Sequence, residues 1–181
     1  DVAVRTLKLN AFEHYFDCVN LSGGKHFSVE MQREGTDGVL TPSRYWVLEN
    51  GIVCQTQTGV VALDMEGKVQ HRVSEKELVD PDDIYLIRPR GAAMGNYDYE
   101  GSLGSQCFIP LSPLNKEADV AIGKVYDTDT RTLELLPALY PEAVKALFQV
   151  NSLTMPRINA LNADRIIYNF PYSSKVYQYD R

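Results

Sequence analysis

The densest gathering of side chains able to recognise a ligand is the stretch "RPRGAAMGNYDYEGSLGS", residues 88–105. Arg88 and Arg90 offer forked N–H donors, and Asp98 offers an acceptor. Tyr97 and Tyr99 offer rings that stack on sugars or apolar groups. Several glycines and a position outside the clear hairpins make this a loop, the kind of segment that carries binding groups on a rigid scaffold. The structural alternative is a strand-turn-strand with its Tyr residues on a half-exposed face. These five residues form the candidate ligand-binding set.

Catalytic and metal chemistry find less support. The three histidines, His14, His26 and His71, show no ligand spacing, and no metal or other cofactor is expected. Cys18, Cys54 and Cys107 are odd in number and lack a CxxC, and Cys54 and Cys107 fall inside strand-like runs, where free Cys behaves as a small buried hydrophobe. "LSGGKH" (21–26) lacks the first Gly and the Ser/Thr of a phosphate-binding loop and reads as a turn. "DPDD" (80–83) and "DTDT" (127–130) lack the spacing of a calcium loop and read as solvated turns. Asn20-Leu21-Ser22 is a lone glycosylation sequon, relevant only in a eukaryotic secretory pathway. No GxSxG is present and no Cys neighbours a His in sequence, although a triad can assemble in space.

The whole chain bounds these options. Its 181 residues suffice for one domain with a substantial core. A formal net charge of −6, with "RPR" (88–90) as its densest basic cluster, argues against nucleic acid. No apolar run is long enough for a membrane-spanning helix. The first residues, "DVAVRTLKLN", lack both Met and the regions of a signal peptide, so a leader removed earlier is expected.

The elements that must position these side chains are strands. Period-two alternation and β-rich runs predict strands at 2–9, 13–20, 26–33, 44–49, 51–57, 59–64, 68–73, 84–89, 105–111, 119–126, 131–136, 153–159, 164–169 and 175–180, punctuated by Gly, Asn, Asp and Pro. Two short helices interrupt them. One follows the capping-box pair Ser74 and Glu77, and the other starts at Pro141 and runs to Phe148. The fold class is therefore all-β, built of antiparallel hairpins.

Internal similarity sharpens that reading. "NGIVCQTQTGVVALDMEGKVQHRV" (50–73) is strand, turn, strand, turn, strand, and its pattern recurs towards the end in "DRIIYNFPYSSKVYQYD". Asp64, Asp127 and Asp180 then occupy equivalent strand ends, where a carboxylate can accept backbone N–H bonds and fix a turn. Blade-like units at about 44–73, 84–136 and 153–181 suggest part of a β-propeller, with a β-sandwich as the alternative. A strand follows Asp64 and Asp127, so one is expected after Asp180, and with it a larger protein of which this chain is the N-terminal part.

At 50–73, 119–141 and 164–180 the chain resembles six-bladed, NHL-like β-propellers common among exported lipoproteins of gut bacteria. The resemblance lies in "VVALDMEGKVQHRV", in "IGKVYDTDTRTLELLPALYPEAV" and in "IIYNFPYSSKVYQYD". It covers a third to a half of the chain, and a six-bladed ring needs about twice this length. It implies a periplasmic or cell-surface location and supplies no catalytic residues.

The functional expectation is a non-enzymatic binding module that recognises a glycan, a peptide or a protein partner. Open sheet edges suggest self-association. The rival readings are a lyase or hydrolase with its site at the propeller axis, and a purely structural role in an assembly. Convergence of His14, His26 or His71 with acids at one pocket would favour the enzyme.

Overall fold

Short alternating runs separated by tight turns pair with their sequence neighbours, because a hairpin closes the shortest loop. The computed structural model describes residues 4–10, 14–36, 38–40, 42–56, 58–78, 102–111, 121–145, 156–162, 164–170 and 173–181. Among these, strands form four antiparallel meanders, and none closes into a barrel. Sheet 1 holds β1 (Val4–Asn10), β2 (Tyr15–Asn20) and β3 (His26–Glu30). Sheet 2 holds β4 (Arg44–Val47), β5 (Ile52–Thr56), β6 (Gly59–Leu63) and β7 (Val69–Ser74). Sheet 3 holds β8 (Ser102–Leu103), β9 (Gln106–Pro110), β10 (Ala121–Asp127) and β11 (Thr132–Leu139). Sheet 4 holds β12 (Arg157–Leu161), β13 (Arg165–Asn169) and β14 (Val176–Asp180). The fold is all-β with blade-like sheets, four in succession rather than the two facing layers of a sandwich.

Sheet 2 shows how the layers are held. Every residue of β5 and β6 is buried, so both faces of this sheet are covered. Side chains alternate between two cores: Ile52, Cys54, Val61 and Leu63 join Phe16, Cys18 and Val29 of sheet 1. Val53, Val60 and Ala62, with Trp46, join Phe108, Ile109 and Tyr126 of sheet 3. That second core continues to Ile158, Ile166, Tyr168 and Phe170 of sheet 4. Each fully buried aliphatic or Phe side chain contributes about 1.5–3 kcal/mol, so these layers carry the stability of the chain.

Several expectations need adjustment. The run at 131–136 continues through Pro137 to Leu139. β11 is an edge strand, and its register with β10 shifts between Ala121 and Gly123. Proline is tolerated there because its missing N–H faces no further strand. Ser102 and Leu103, read as loop, pair with Cys107 and Gln106 as β8. The expected helices appear as α1 (Glu75–Leu78) and α2 (Glu142–Lys145), and the continuation to Phe148 and the strand at 84–89 lie outside the described residues. Of the capping box, the reach-back half forms: Glu77 accepts from both the backbone N–H and the hydroxyl of Ser74, at 2.8 and 2.6 Å. No helix among the described residues is long and apolar enough to cross a membrane.

Candidate functional site

Arg88, Arg90, Tyr97, Asp98 and Tyr99, the set singled out by sequence, lie outside the described residues. The clearest recess among the described ones is elsewhere, between sheets 2 and 3, at the end where their tight turns gather. The β4–β5 turn meets the β8–β9 turn through a bond from the Glu49 N–H to the Gly104 carbonyl. The β10–β11 turn is tied to the same place by the Thr128 N–H on the Ser105 carbonyl.

Aspartates build the β6–β7 and β10–β11 turns. The Asp64 carboxylate accepts from the N–H groups of Glu66 and Lys68 at 3.1 and 2.9 Å, and from the Gln70 amide at 2.6 Å. Asp127 accepts from Asp129 and Thr130 N–H, from the Ser105 hydroxyl and from the Gln106 amide. Partial burial alone would raise the Asp127 pKa. The bonds from Gln106, Thr130, Asp129 and Ser105 outweigh that and hold it below the ordinary value. Asp180 departs from the pattern: it accepts from the Gln178 amide. Asn20 and Asn162 do the turn-fixing work in sheets 1 and 4, each accepting two backbone N–H bonds. Asparagine oxygen serves that purpose as well as carboxylate, which is why a search for repeated aspartate missed both.

The recess is a cleft of about 370 Å³. The aliphatic side chains on its floor are those of Leu48, Val53 and Ala62; Ile52 and Leu63 also line it, but their side chains turn to sheet 1. Its rim is polar, with Asn50, Asp64, Gln70 and His71 from sheet 2 facing Asp129 and Arg131 from sheet 3. His71 is fixed from behind: its Nδ1 lies 2.7 Å from the hydroxyl of Tyr126 on β10, and the two rings stack with centroids 6.0 Å apart. Burial, with Cys107 and Asp127 adding to it and Arg131 opposing, pushes the Tyr126 hydroxyl up to about 12. The hydroxyl therefore keeps its proton, and which of the two atoms donates follows the histidine tautomer. Arg131 adopts φ of 58° although it is not glycine.

His71 thus shares a recess with Asp64 and Asp129, whereas His14 and His26 belong to sheet 1 and do not line it. Sequence gave no cue to the His71–Tyr126 pair, because the two are 55 positions apart and meet only through stacking of sheets. A second, shallower recess lies between sheets 3 and 4, lined by Gly104, Ser105, Gln106, Glu134 and Arg181. There Arg181 donates to Gln106 and pairs with Glu134 at 3.4 Å.

No family model matches the sequence, and no curated protein matches it. Among solved structures, the crystal structure of a member of the DUF4221 family from Bacteroides vulgatus aligns with 92% of this chain at 10% identity and a TM-score of 0.47. The alignment takes in 51% of that protein, so the chain spans about half its length. Likeness at this level assigns neither family nor activity.

Proposed function

We propose that the chain is a non-enzymatic binding module of an exported β-propeller protein, and that it takes its ligand in the cleft between sheets 2 and 3. The observation that carries the reading is the cleft itself: an aliphatic floor, a convergent polar rim and a volume within the range of about 300–1,000 Å³ typical of small-molecule sites. Four consecutive meanders stacked face to face suit a propeller. Export and a cell-surface place rest on the sequence resemblance alone. Glycan and peptide arrays probed with the wild type and with Asn50→Trp, which fills the exposed rim, test the reading. A ligand held by the wild type and lost by the blocked variant is expected. An empty array, or binding that Asn50→Trp leaves intact, would overturn it.

The second reading, a lyase or hydrolase, draws on His71 and Asp129 lining one cleft, with the His71 ring held by the Tyr126 hydroxyl. It predicts that a ligand recovered after incubation is chemically altered. The binding module returns it unchanged by mass spectrometry.

A further inference from the structure

The chemistry of the rim narrows the ligand. Asp64 has both carboxylate oxygens engaged, by Glu66, Lys68 and Gln70, so its charge is already solvated by the fold. What remains is one side chain of each sign. No side-chain hydrogen bond or ion pair among the described residues engages the Asp129 carboxylate or the Arg131 guanidinium, whose charge acts on Tyr126, and both residues are exposed on the same four-residue turn. An exposed carboxylate and an exposed guanidinium on one turn offer both an acceptor and forked donors to hydroxyl groups. His71 adds a further polar group to the rim, and the aliphatic floor suits the C–H face of a sugar ring.

The backbone supplies an independent sign. Arg131 sits in the left-handed region, which glycine or asparagine occupies at less cost, so a bulky side chain is kept there against local preference. Strain of this kind clusters at ligand clamps. The corresponding turn of sheet 2 meets the same requirement with Gly67, at φ of 81°.

Resting on the binding reading above, we propose that the cleft takes a polyhydroxylated ligand, a mono- or disaccharide, with the Arg131 guanidinium donating to its hydroxyls and the Asp129 carboxylate accepting from them. Calorimetric titration with a panel of methyl glycosides and disaccharides, and separately with inorganic phosphate and putrescine, tests it on the wild type, Asn50→Trp and Arg131→Asn. Asparagine tolerates the left-handed backbone, so Arg131→Asn removes the guanidinium without unfolding the turn. The expected result is saturable binding of a saccharide, abolished by Asn50→Trp and weakened at least about tenfold by Arg131→Asn. The thermal midpoint of Arg131→Asn should equal or exceed the wild type's. If phosphate or putrescine is what Asn50→Trp displaces, the saccharide assignment falls and the binding reading stands. Unchanged saccharide affinity in Arg131→Asn overturns the anchoring role. Absence of any cleft binding across the panel overturns the inference, while the arrays decide the broader reading on their own.

Discussion

Asp127 is one carboxylate that closes a turn and joins two strands, and four donors depend on it. Asp127→Ala strands the Ser105 hydroxyl and the Gln106 amide in a partly buried site, while the exposed N–H groups of Asp129 and Thr130 return to water, and a loss of about 1–3 kcal/mol by denaturant titration is expected. Its folded pKa lies below the ordinary 3.8, so its stabilisation is complete above that value and fades as pH falls through and below it. Glu77 follows the same sign, held below 4.5 chiefly by the Ser74 hydroxyl bond. Acid titration of the wild type against Asp127→Asn should show a weaker acid dependence in the variant; equal slopes would remove Asp127 from the account. The turn role of Asp64 and Asp127 was legible in the sequence because such turns are made locally. The parallel role of Asn162 was hidden by its chemical identity, and the His71–Tyr126 pair by its distance along the chain.

Strands are the best-read elements, since alternation and turn residues are local signals that the pairing obeys. The exceptions have stated causes: β8 is too short to carry a period, and Pro137 is admitted by an edge position that no single strand announces. Gly67 shows where an element meets its neighbour. It takes a positive φ in the β6–β7 turn, and a Cβ built there would strike the backbone carbonyl of Glu30 at the end of β3. Gly67→Ala therefore combines backbone strain with a clash between sheets 1 and 2, and a loss of about 1–3 kcal/mol is expected. A midpoint like the wild type's would show that the contact between these sheets yields easily. Gly104→Ala, whose Cβ would meet nothing, is the comparison that carries strain alone.

The stacking of whole sheets was only partly legible. Both-face burial of β5 and β6 is foreshadowed by their apolar runs, but sheet 1 did not declare itself as a unit of its own. The stacking predicts the state of the thiols. Cys18, Cys54 and Cys107 are free and fully buried, and burial pushes all three pKa values up, that of Cys18 to about 11. A thiol reagent should find none of them in the native protein and all three after unfolding. Fast native labelling would mean that the sheets separate readily. Amide chemical-shift mapping with the tightest ligand from the arrays tests most directly whether a ligand sits in the cleft between sheets 2 and 3. Perturbations centred on residues 50–51, 70–71 and 128–131 are predicted. Shifts gathered elsewhere, with those amides silent, would contradict it.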